Sequence, residues 1–239
     1  MTTPPDATAA IRIREKPTTR TARYAMAGAP PGEAARIWFV LHGYGQLAPR
    51  FLRPFAGAIP ADTCVIAPEG LSRFYLEMPR VDGSHMQRIG AAWLTRESRE
   101  TEIADALAWL NGVHDDVVDE SRQARNVTPV TAVLGFSQGV ATAMRWVAAG
   151  RVTPQCFVAW AGGLALDVSH EMFRAKVVDG DVVLVAGEHD PFVTLTARSA
   201  VREQFGSYHV SPRELTFDGA HQLHTETLAQ LLSELPRPR

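Results

Sequence analysis

The stretch Val130-Thr131-Ala132-Val133-Leu134-Gly135-Phe136-Ser137-Gln138-Gly139-Val140 decides how the rest of the chain is read. Val130 to Leu134 is a continuous β-prone run, the mark of a strand covered on both faces. From Gln138 the period changes: Val140, Met144 and Val147 fall at i, i+4 and i+7 up to Ala149, and Gly150 stops the helix they predict. A strand that becomes a helix within so few residues needs small residues at the corner, and Gly135 and Gly139 stand two before and two after Ser137. Ser137 is thereby expected at the apex of a sharp turn, its hydroxyl projecting out of the sheet toward the positive end of the following helix. G-x-S-x-G between a buried strand and a helix is the pattern of an activated serine nucleophile. The plainer alternative is a glycine-rich turn with an incidental serine.

The same alternation runs outward in both directions. Ile37 to Leu41, Thr63 to Ala67, Cys156 to Trp160, Val182 to Ala186 and Glu214 to Phe217 are further strand runs. Ile103, Leu107 and Leu110 mark a helix within Arg99 to Asn111, and Leu228, Leu231, Leu232 and Leu235 mark a last one with Thr225 near its N-cap. Strands alternating with helices predict an α/β fold, a mostly parallel sheet with helices on both faces. No repeat or low-complexity linker divides the chain, so a single domain is expected: an N-terminal segment, 1–34, with edge strands at Ile11 to Arg14 and Tyr24 to Met26, and a main body, 35–239. Gly162 to Asp181 has room for one helix, which leaves no large cap domain.

Composition narrows the function classes. The chain has 239 residues, 46% hydrophobic and 21% charged, within the range of globular domains. A formal net charge of −2 gives no electrostatic footprint for nucleic acid. No apolar run is long enough for stable membrane insertion, and the first thirty or so residues lack a secretory h-region. Met1 to Arg23, rich in Arg, Thr and Ala, admits a transit-peptide reading beside that of a loose N-terminus; a cytoplasmic protein is expected. Cys64 and Cys156 lie in apolar runs without CxxC spacing, and the histidines show neither H-x-H nor H-E-x-x-H. No metal and no cofactor are expected.

In open parallel sheets the chemistry gathers where strands end. His221 follows the last strand run, the position of the base in the order Ser, acid, His; His224 is its rival three residues on. Asp190 follows Val182 to Ala186 in Gly187-Glu188-His189-Asp190-Pro191, with Glu188 and Asp167 as competitors for the acid. An oxyanion needs aimed donors. The backbone N–H of Gln138 is one candidate, and that of Tyr44, in Leu41-His42-Gly43-Tyr44-Gly45-Gln46, is the other. His42 is expected to be a structural hydrogen-bonder.

With Leu41-His42-Gly43-Tyr44-Gly45, Gly135-Phe136-Ser137-Gln138-Gly139, Gly187 to Val193 and Gly219-Ala220-His221 in family order, the chain resembles the α/β-hydrolases. Within them it is similar to the phospholipase/carboxylesterase group that includes the acyl-protein thioesterases, over roughly residues 35–235. The resemblance implies Ser137 as nucleophile, Asp190 as acid, His221 as base and Tyr44 and Gln138 as oxyanion donors. It departs at Gln46, where the family usually has Asp, and at Val140, where a second glycine is common. The connection from Pro68 to Arg99 carries Phe74, Tyr75, Leu76, Met78, Met86 and Trp93-Leu94, a candidate cover for the site. The resemblance sets the Trp93 segment beside the acyl pocket, with Tyr75 and Leu94 as further pocket candidates; packing against the sheet edge is the alternative. The expected activity is hydrolysis of short to medium acyl esters or thioesters through an acyl-enzyme. The expected partner is a small-molecule substrate, and a homodimer is compatible with the family. A lactone or dienelactone hydrolase, or a non-catalytic binder on the same scaffold, are the competing readings.

Overall fold

The computed structural model describes residues 12–79 and 85–238. In chain order its elements are β1 (Tyr24–Gly28), β2 (Arg36–Leu41), α1 (Ala48–Phe51), β3 (Thr63–Pro68), β4 (Ser72–Pro79), β5 (His85–Ala92), α2 (Arg99–Arg125), β6 (Val130–Phe136), α3 (Gln138–Ala149), β7 (Cys156–Trp160), α4 (His170–Val177), β8 (Asp181–Gly187), α5 (Leu195–Ser207), β9 (Arg213–Phe217) and α6 (Thr225–Glu234). Seven strands form one sheet in the order β1-β3-β2-β6-β7-β8-β9, and β4 and β5 pair separately as an antiparallel hairpin. All neighbours in the main sheet are parallel except β1 on β3.

Strand residues alternate between two apolar layers, as the pleat requires. Ile37, Phe39 and Leu41 join Leu110, Val140, Met144 and Phe173 on the face covered by α2, α3 and α4. Trp38 and Val40 join Phe51, Phe55, Leu228 and Leu231 on the face covered by α1 and α6. Layers on both sides explain why the inner strands read as unbroken apolar runs. This is the α/β-hydrolase fold, and Gly162 to Asp181 holds the single helix α4.

Three segments depart from expectation. Ile11 lies outside the described residues, and Arg12 to Arg14 form no strand; β1 alone pairs along the free edge of β3. Helix α2 runs fourteen residues past Asn111, to Arg125. Leu110, Val113, Val117 and Ser121 continue its buried stripe, but Asp115, Asp116, Asp119 and Glu120 between them mask the period. The connection between β3 and α2 is built as a hairpin, with Phe74 against Tyr44 at a centroid distance of 5.0 Å, and its base is bonded to the loop after β2. Among the described residues no helix is long and apolar enough to cross a membrane.

Candidate active site

Ser137 sits between β6 and α3 with φ 53° and ψ −119°. A non-glycine residue held there costs about 1–3 kcal/mol, which the surrounding packing must impose. The crowding is direct: a Cβ on Gly135 would stand 2.5 Å from the Cα of Val140, and one on Gly139 would stand 2.3 Å from the carbonyl oxygen of Leu41. Only glycine lets β6, α3 and the end of β2 close around the serine.

His221, in the loop between β9 and α6, brings Nε2 to 3.0 Å from the Ser137 Oγ. Its Nδ1 lies 2.8 Å from Asp190 Oδ2. Asp190 is buried, and its other oxygen accepts from the backbone N–H groups of Phe192 (2.8 Å) and Val193 (3.1 Å). Those two bonds turn the free oxygen toward the imidazole. Since the carboxylate can only accept, Nδ1 carries the proton and Nε2 is left to accept from the serine hydroxyl. Phe136 and Phe192 flank the His221 ring, each at a centroid distance of 5.0 Å.

The loop after β2 approaches Ser137 from the other side. The Gly43 N–H donates to Gln46 Oε1 at 2.8 Å, and the Gly45 N–H and Gln46 carbonyl bond to the carbonyl and N–H of Ala91 at 2.8 and 3.2 Å. The loop thus extends the β4–β5 hairpin by one bridge. Among the described residues the backbone N–H groups of Tyr44 and Gln138 have no hydrogen-bond partner. His42 is fully buried: Nε2 accepts from the Gly70 N–H at 3.0 Å, and Nδ1–H donates to the Gly43 carbonyl at 2.8 Å. Burial pushes its pKa down, so it stays neutral with both ring nitrogens engaged.

Ser137, Gln138 and His221 line a cleft of about 640 Å³ together with Tyr44, Leu94 and Phe192. Leu94 is therefore at the site, whereas Trp93 and Tyr75 are not among the residues lining it. Trp93 is buried behind the loop after β2, its indole N–H donating to the His42 carbonyl at 2.7 Å. It borders instead a separate groove of about 710 Å³ between residues 15–22 and α2. Tyr75 is 69% exposed on the outer face of the hairpin, beside Ile89. The indole's hydrogen bond to the chain beneath it is what draws Trp93 inward and leaves Leu94 facing the cleft.

The rival residues have other work. His224 stacks on Phe217 and engages Thr227 and Glu226 at the start of α6. Glu188 is exposed and accepts from Thr216. Asp167 is gripped by Arg145 and Arg99, and the Arg145 hydrogen bonds are the main reason its carboxyl stays well below the usual range. Sequence reasoning missed the Gln138 side chain, whose Oε1 accepts from the Trp93 N–H (3.2 Å) and whose Nε2 donates to the Leu94 carbonyl (3.1 Å). It also missed Gln46 and Arg145. Arg145 carried a signal, as the single charged residue in the apolar helix Gln138 to Ala149.

No family model matches the chain, and no curated protein matches it in sequence. Solved structures do match in fold. Esterase PE8 aligns at 20% identity over 91% of this chain and 100% of its own, with a TM-score of 0.58. A phospholipase/carboxylesterase from Dyadobacter fermentans aligns at 14% identity over 91% of this chain and 98% of its own, with a TM-score of 0.60. Zea mays acyl-protein thioesterase 2 aligns at 15% identity over 89% of this chain and 97% of its own, with a TM-score of 0.59.

Proposed function

Starting from a chain with the α/β-hydrolase fold, we propose a serine hydrolase of the phospholipase/carboxylesterase type that cleaves short to medium acyl esters or thioesters. The observation that carries this reading is the continuous hydrogen-bond chain from Ser137 Oγ through His221 to Asp190, in a cleft also lined by Tyr44 and Gln138, whose backbone N–H groups have no partner among the described residues. The names of the structural neighbours, an esterase, a carboxylesterase and a thioesterase, agree with it.

In this reading His221 takes the hydroxyl proton as Ser137 Oγ attacks the acyl carbonyl, and Asp190 stabilises the imidazolium that forms. The developing oxyanion accepts from the Tyr44 and Gln138 N–H groups, which have no protein partner among the described residues. His221 returns the proton to the leaving oxygen or sulfur. Water, deprotonated by the same imidazole, then attacks the acyl-enzyme and frees the acid and Ser137. A cleft without a large cap suits a short or medium acyl group.

Ser137→Ala is expected to abolish hydrolysis of p-nitrophenyl acetate and butyrate while leaving the circular dichroism spectrum unchanged. The wild type is expected to take up a fluorophosphonate probe at Ser137. Turnover by the alanine variant at the wild-type rate would defeat the proposal, and absence of labelling would favour a non-catalytic binder.

A further inference from the structure

We propose that the acyl chain of the substrate ends in an anionic group, a carboxylate, which Arg145 receives at the far end of the cleft. This deepens the serine-hydrolase reading and rests on it. Gln138, Ala141 and Arg145 recur at i, i+3 and i+7 on α3, so they share one face, and all three line the cleft. A helix rises about 1.5 Å per residue, which puts the Arg145 backbone on the order of 12 Å from the elbow; its side chain leans back toward the N-terminus and shortens the gap.

The charge pattern along this path is one-sided. Among the described residues, Arg145 is the one titratable cation besides His221 that lines the cleft, and no carboxylate side chain lines it. Asp167 occupies Nε and Nη2 of Arg145, at 3.0 and 2.7 Å, while Nη1 has no partner among the described residues. Asp167 is also shared with Arg99 Nη1 at 3.0 Å. Two guanidinium groups around one carboxylate leave a net positive charge. The Arg145 side chain is only 9% exposed, so water does little to quench it.

Topology tells which end of the substrate this is. His221 enters from the α6 side, against Phe136, which belongs to the α1/α6 apolar layer; Arg145 lies on α3, over the opposite face. The leaving group must meet His221 to receive its proton. The acyl chain therefore runs toward α3, and roughly five to eight carbons span the distance to the guanidinium.

The test compares p-nitrophenyl monoesters of adipic, pimelic and suberic acids with the p-nitrophenyl esters of the monocarboxylic acids of equal length. At least one diacid ester is expected to exceed its neutral counterpart about tenfold in kcat/KM, mainly through KM. Arg145→Met is expected to bring that ratio close to one, and Arg145→Lys to restore part of it. Free suberate should inhibit competitively and its neutral diamide, suberamide, should not, which carries the test if the methionine variant fails to fold. Neutral esters preferred at every length by the wild type, with no inhibition by suberate, would overturn the inference while leaving the hydrolase reading intact. If no ester is cleaved and Ser137 is not labelled, both fall together.

Discussion

Asp190 shows how much of the site rests on single side chains. Its Oδ1 is fixed by two backbone donors and its Oδ2 faces His221 Nδ1. Asp190→Asn would keep the shape but present an amide N–H to the imidazole and favour the wrong tautomer. A fall in kcat on the order of 10³–10⁴-fold is expected for ester hydrolysis, with the melting temperature little changed. Gln138→Ala removes both amide bonds to Trp93 and Leu94. A loss of about 1–3 kcal/mol in denaturant unfolding is expected, together with a raised KM as Leu94 loosens. Ser137, Asp190 and His221 were legible as candidates because each follows an apolar run and so stands at a strand end. The clamp by Gln138 was not, since its partners are backbone groups more than forty residues away in a segment with no readable period.

At the scale of elements, the β4–β5 hairpin is the part whose role the sequence concealed. Its apolar residues read as a cover, yet the N–H and carbonyl of Ala91 both turn away from β4 and bond the loop that carries Tyr44. Ala91→Pro removes the N–H that Gln46 accepts from. Ester kcat is expected to drop roughly 10- to 100-fold, with the hydrogen bonds of the triad retained and far-UV circular dichroism preserved. A kcat equal to wild type would show that the bridge does not position the loop. Helix α5 was also unread: Phe205 is its one fully buried residue, so it has no apolar stripe to detect. The inner strands were plain because they are covered on both faces; the hairpin and α5 were not because tertiary contacts set them against weak local patterns.

For the whole molecule, pH acts through groups whose titration the fold suppresses. Burial lowers His42 below its ordinary 6.5. Unfolded chains then bind more protons than folded ones as pH drops below that value, so stability is full above it and declines as acidification proceeds. A second decline belongs to carboxylates. Burial would raise Glu69 above its ordinary 4.5, but hydrogen bonds from Arg23, Arg73 and the Ala48 N–H outweigh it, and Asp167 is lowered from 3.8 chiefly by Arg145. Their contribution is present above those ordinary values and lost as pH falls beneath them. Melting temperatures measured from pH 8 downward should fall in these two stages, and His42→Gln should blunt the first. Cys64 and Cys156, both pushed up to about 12 mainly by burial, are expected to resist iodoacetamide until the protein is denatured. Glu69 has one further consequence. Its buried carboxylate joins the approach to β1, the foot of the hairpin and the first turn of α1, and the next residue's N–H holds His42. The loop that carries Tyr44 thus shares one buried acid with the sheet edge, the hairpin and α1, so Glu69→Gln is expected to lower ester turnover while the hydrogen bonds among Ser137, His221 and Asp190 persist.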